Sequence, residues 1–133
     1  MGRRRFSPEE IEAQRARVVR AAEGLFAEHG FEGVTLRSLA AALGQSSTTA
    51  YRYFEGKAAI FTATRIAAYE RFAEAQEKVC REIDDVDERL ACLGDAYARF
   101  ALDEPDAYRL MFELKQPPAG RTDELRRAEN RAC

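Results

Sequence analysis

The chain has no tryptophan, one histidine, four prolines and three cysteines among its 133 residues. Each scarcity excludes something. With His29 as the only histidine, no Ser-His-Asp set or Cys-His pair can be assembled, and no glycine-rich loop cradles a phosphate. No enzyme, cofactor or metal site is therefore expected. His29, next to Gly30, suits the negative end of a helix dipole better than it suits a metal. Cys80, Cys92 and Cys133 lack C-x-x-C spacing. There is neither a signal-like opening nor a long apolar run, so free thiols in a reducing cytoplasm are expected, with no membrane partner. Cys80 and Cys92 read as small buried side chains, with a thiol redox switch as the alternative. β-branched residues are scarce, alanine and arginine abundant, and no segment alternates as a strand would. The fold class is all-α.

Net charge is near neutral but unevenly spread. Residues 1–57 hold nine Lys/Arg against seven Asp/Glu, while residues 58–133 hold twelve against sixteen. The basic excess falls on the first half, which begins with Arg3-Arg4-Arg5. That run is either an arm for a nucleic-acid groove or a solubilising tail.

A helix with an explicit start follows. Ser7-Pro8-Glu9-Glu10 is a capping box with proline at the first helical position. Ile11, Val18, Ala22, Leu25 and Phe26 form its apolar stripe, and Gly30 stops it. Phe31 then anchors the loop into the next helix.

The most informative stretch is Thr35 to Phe54. Thr35 is a plausible N-cap, and Leu36, Leu39 and Leu43 form a short buried stripe. Ala40, Gly44 and Ala50 supply the small residue, the left-handed turn and the inward lock that a helix-turn-helix needs. The second helix places Ser47, Thr48, Thr49, Tyr51 and Arg52 on a segment poor in helix formers. A weak helix kept polar on one side points to what it touches, and the spacing suggests duplex DNA. An ordinary tight helical corner with a polar side is the alternative. Past Gly56 a long helix opens with Lys57, where the dipole would favour an anion. Lys57 is either part of a phosphate site or a solvated surface lysine.

Arg17-Val18-Val19-Arg20-Ala21-Ala22, Leu25 to Phe31, Val34 to Ala40, Gly44, and Thr49 to Phe54 with Lys57 and Phe61 resemble the TetR family of bacterial repressors. The resemblance covers about residues 10 to 66, with a weaker echo in Pro105 to Phe112. It implies a three-helix DNA-binding domain with helix-turn-helix 35–54, then a partial helical regulatory or dimerisation domain. It assigns Thr35, Arg37, Tyr51 and Lys57 to phosphate, and Ser47, Thr48 and Thr49 to bases or backbone. Gln45 could pair an adenine edge and Arg52 could fork onto guanine. Two positions depart from the family pattern. Gln45 stands where an aliphatic residue is usual, and Ala50 where leucine is usual. Tyr53 or Phe54 is expected to fill the space beside Ala50.

The division expected is an arm over residues 1–9, the DNA-binding domain over 10–66 and a shortened regulatory domain over 67–133. In the last, a helix from Lys57 to Glu82 turns Ile60, Phe61, Ile66, Tyr69, Phe72 and Val79 inward. A second helix turns in Val86, Leu90, Leu93, Tyr97 and Phe100, and a third restarts at Pro105. A final helix starts at Thr122-Asp123-Glu124. Tyr69, Phe72, Tyr97, Phe100, Tyr108, Met111 and Phe112 either line a pocket for a small apolar effector or are core side chains. The expected function is a dimeric repressor on a palindromic double-stranded operator, released by such an effector. The alternative is a curtailed helical module that pairs with a full-length regulator without binding DNA itself.

Overall fold

The computed structural model describes residues 6–45, 52–115 and 122–132. Among these residues there are six α-helices and no strand. α1 spans Pro8–His29 and starts on the predicted box: the Ser7 hydroxyl accepts from the Glu10 amide at 3.1 Å, and the Glu10 carboxylate accepts from the Ser7 amide at 2.9 Å. It ends at Gly30, whose φ of 74° suits glycine alone. α2 spans Leu36–Leu43, with Thr35 and Ser38 exchanging side-chain-to-amide hydrogen bonds of 3.0 Å. Gly44 closes it in the left-handed conformation, φ 66° and ψ 28°, and the Gln45 amide returns to the Ala40 carbonyl.

α3 spans Lys57–Glu82 without a break. Its first half packs on α1 in a core of Val18, Ala22, Phe26, Val34, Leu39, Phe54, Ile60, Phe61 and Leu110. Phe26, Phe31 and Phe61 pack as a trio, with Phe61 edge-on to the other two at 4.8 and 5.3 Å. Burying one such phenyl ring contributes about 1.5–3 kcal/mol. Ile11 stays on the surface because it lies two turns ahead of Val18, where the core begins.

The second half of α3 meets α4 (Val86–Asp103), α5 (Pro105–Tyr108) and α6 (Asp123–Ala132). A second core joins Ile66, Ala68, Tyr69, Phe72, Phe100, Ala107, Met111, Leu125 and Ala128. Leu110 reaches from this half into the first core, so the two halves share both α3 and a side chain. α5 runs on into a π turn over Arg109–Glu113, closed by the Leu114 amide on the Arg109 carbonyl. Two carbonyls of that turn are taken by α3: Arg65 Nε donates to Leu110 at 3.1 Å and the Tyr69 hydroxyl to Met111 at 2.9 Å. Arg65 is 5% exposed, and its guanidinium also meets the Glu129 carboxylate of α6 at 3.3 Å. A buried charge is tolerable only when paired in this way.

Two expectations fail here. The stripe of α4 does not turn inward along its length. Phe100 is buried, but Val86 and Leu90 are 73% and 70% exposed. The end of α3 that they would need, Gln76 to Glu82, offers Val79 as its one aliphatic side chain. Cys80 is exposed rather than buried, because it follows the inward-leaning Val79 by one residue and so turns away; Cys92 is half-buried. Among the described residues no helix is long and apolar enough to cross a membrane.

Candidate nucleic-acid interface

The corner between α1, α2 and α3 is assembled from both sides of the helix-turn-helix. On the entry side, the loop from α1 bends sharply at Gly33. A Cβ there would lie 2.2 Å from the His29 carbonyl oxygen, so the position admits only glycine without movement. The spacing-based reading missed this glycine, because a close approach leaves no periodic signal. Thr35 and Arg37 are exposed at the start of α2. The Thr35 hydroxyl accepts from the Ser38 amide as a cap and keeps its own O–H as a donor at the free amides of α2. Gln45 is half-buried just past the turn.

Ser47, Thr48, Thr49 and Tyr51 lie outside the described residues, and so does Ala50. Arg52 and Tyr53 are helical, Arg52 exposed and Tyr53 half-buried. Phe54 is 6% exposed and belongs to the first core, while the expected packing beside Ala50 lies outside the described residues.

Lys57 is half-buried at the start of α3, and its Nζ donates to the Phe31 carbonyl at 2.8 Å while lying 4.3 Å from the Phe31 ring centre. Gly56, at φ 148°, caps α3 without any side-chain bond, and no acid stands in the first turn. The first amides of α3 have no side-chain cap, and the Lys57 ammonium, held at Phe31, keeps two further donors. On the exit side, Arg15 of α1 donates to the Tyr53 carbonyl and lies 4.3 Å from the Phe54 ring centre. Sequence reasoning passed over Arg15 and also over Arg65, since neither belongs to an apolar stripe or a motif.

The seven aromatic and methionine residues are brought together as a packed set. Phe72 meets Tyr97, Phe100 and Phe112 edge-on at 5.6, 5.2 and 6.3 Å. Tyr108 lies tilted against Phe112 at 5.1 Å, and Tyr69 is tied to the Met111 carbonyl. A cleft of about 1240 Å³ opens elsewhere, between α1 and α3, and none of the seven lines it. It runs from Tyr53–Gly56 to Glu104 and Asp106, with Arg71 on its wall. Arg71 joins α3 to Glu23 of α1 at 2.7 Å and to Glu104 at 3.1 Å. Burial works to lower its pKa, but the charge of Glu23 and the hydrogen bond and charge of Glu104 outweigh it, so the guanidinium is held above its ordinary value. Among the described residues no group of His, Cys, Asp or Glu is arranged to hold a metal ion.

A profile of the bacterial regulatory proteins of the tetR family matches residues 18–64, the segment that builds this corner. Over this segment the chain is similar to the TetR family of regulators. It is 25% identical over 119 residues to a curated HTH-type transcriptional regulator of Mycobacterium bovis, covering 88% of this chain and 50% of that protein. Among solved structures, a TetR family transcription regulator from Marinobacter aquaeolei superposes with a TM-score of 0.80 at 25% identity, covering 95% of this chain and 66% of the other. The TetR family regulator PfmR from Thermus thermophilus gives 0.70 at 27% identity, covering 87% and 66%. The chain therefore spans about half the length of the curated relatives it matches and two thirds of these solved ones.

Proposed function

We propose that this chain is a DNA-binding transcriptional repressor of the TetR type rather than an enzyme, acting in the cytoplasm as a homodimer on a palindromic operator. The observation that carries the reading is the family match over a corner closed on left-handed Gly44, beside a helix that opens on Lys57 with uncapped amides. In this reading residues 10–66 read DNA through the helix-turn-helix 35–54. Residues 67–133 regulate or dimerise, and residues 1–9 form a basic arm. Thr35, Arg37, Tyr51 and Lys57 take phosphates, which set register and affinity. Ser47, Thr48 and Thr49 meet base edges or backbone, with Gln45 suited to adenine and Arg52 to guanine. Two such helices enter major grooves about 34–36 Å apart.

An apolar effector would act at the packed aromatic set, where α3 and α4 meet the π turn. It would favour one position of α3 over another, which requires different affinity for the two states. Binding selection on random duplexes by the purified chain tests the core of the reading. Recovery of an inverted repeat is expected. A chain indifferent to every duplex at low ionic strength overturns it.

One observation favours a second reading. Val86 and Leu90 leave an apolar stripe on α4 uncovered among the described residues, which suits pairing with a full-length relative. Sizing of the chain alone and in mixtures separates the two, because a stable homodimer removes the need for that partner.

A further inference from the structure

The helix-turn-helix is held at both ends by cations from the helices that flank it, and the exit clamp has no assigned role. The last carbonyls of a helix lack partners within it and carry the negative end of its dipole. Tyr53 is the last helical residue before the chain turns into α3. Its carbonyl accepts from Arg15 Nη1, across 38 residues of chain. The same guanidinium lies over the ring of Phe54, and that ring is packed in the first core. One side chain therefore ties the backbone at Tyr53 and the ring of Phe54, just ahead of α3, to α1. Glu12 stands 3.9 Å from Arg15 Nε and is 80% exposed, too loosely held to compete. At the entry, Lys57 repeats the arrangement on Phe31, again pairing a carbonyl with the ring of the same loop.

We propose that Arg15 is a positioning residue for DNA reading: it sets the angle at which the recognition helix leaves α1, without touching DNA. This rests on the regulator reading above. A wrong angle leaves phosphate attraction intact but spoils base-edge contacts, which depend on register. The quantity to read is therefore the ratio of specific to non-specific affinity.

The test uses the full chain and the inverted-repeat duplex recovered by selection, with a scrambled duplex of equal length. Affinities for both are measured over a salt series for wild type, Arg15→Met and Arg15→Lys. Arg15→Met is expected to lower the ratio about tenfold, the size of a lost charged hydrogen bond. Non-specific affinity and its salt slope are expected to stay as in wild type. Arg15→Lys keeps the charge and one donor but cannot lie flat over the ring, so its ratio falls between the two. An unchanged ratio in Arg15→Met overturns the proposal. So does a salt slope reduced by about one unit, the mark of a lost phosphate contact. If Arg15→Met does not fold, Arg15→Lys decides, and a wild-type ratio in that variant overturns the proposal. A wild-type chain that selects no duplex sinks the regulator reading and this role with it. A chain that selects one while both variants match wild type sinks this role alone.

Discussion

In α2 the leucines at 36, 39 and 43 turn onto the first core, whereas in α4 the equally regular Val86 and Leu90 stay largely exposed. Both helices have helical apolar spacing, and α2 is the shorter, at eight residues against eighteen. An eight-residue helix is not stable alone. α2 exists because Thr35 and Ser38 cap its start, Gly44 closes its end, and the aromatic trio sits beneath it. α4 has a good cap of its own, the Asp85 carboxylate on the Glu88 amide, but faces the polar end of α3. Periodicity states which face is apolar; the neighbouring element decides whether that face is covered.

The widest gap between the two regions should appear on truncating an apolar side chain in each. Phe61→Ala is expected to cost about 3–5 kcal/mol in chemical denaturation. Leu90→Ala should stay within about 0.5 kcal/mol, as for an exposed site. A Leu90→Ala cost near that of Phe61→Ala would mean that α4 is covered in solution. The junction between the regions comes next. Arg65→Met removes the guanidinium's bonds to the Leu110 carbonyl and the Glu129 carboxylate, an expected loss of about 1–3 kcal/mol read from the same unfolding curves. Gly33→Ala must push the His29 carbonyl aside, at about 1–2 kcal/mol, and thermal melting would show it.

Lys57→Ala sharpens the comparison on the functional side. It should weaken binding to specific and scrambled duplexes and lower the salt slope by about one unit, checked by titration at several salt concentrations. The smallest effect belongs to the surface of the second region. Arg131 holds Glu77 through two hydrogen bonds of 2.8 and 2.9 Å, and these lower the Glu77 pKa from the ordinary 4.5. A depressed carboxyl pKa adds stability that is present above 4.5 and is lost as pH falls through the lowered value. The difference in melting temperature between wild type and Arg131→Gln should therefore be small at neutral pH and vanish in acid.

Local chemistry was legible in the sequence wherever a residue acts on its near neighbours. Ser7 and Glu10, Gly30, Gly44, Thr122 and the span Lys57–Glu82 all stand where capping and periodicity place them. What escaped depends on residues far apart in the chain. Arg15 finds Tyr53 across 38 positions and Arg65 finds Glu129 across 64. The exposed half of α4 and the outward Cys80 escaped for a related reason, since each depends on what lies opposite rather than on spacing. The candidate DNA-contact set rests on its resemblance to a family, and its hydroxyls at 47 to 49 lie outside the described residues.

Hydroxyl-radical footprinting of the selected duplex with the full chain is the most direct measurement of whether the corner between α2 and α3 docks on DNA. The account predicts two protected patches related by a dyad, their centres about 10–10.5 base pairs apart. Uniform cleavage along the duplex at low ionic strength, at protein concentrations that saturate the duplex's slowest-migrating complex or at the limit of solubility, would contradict it.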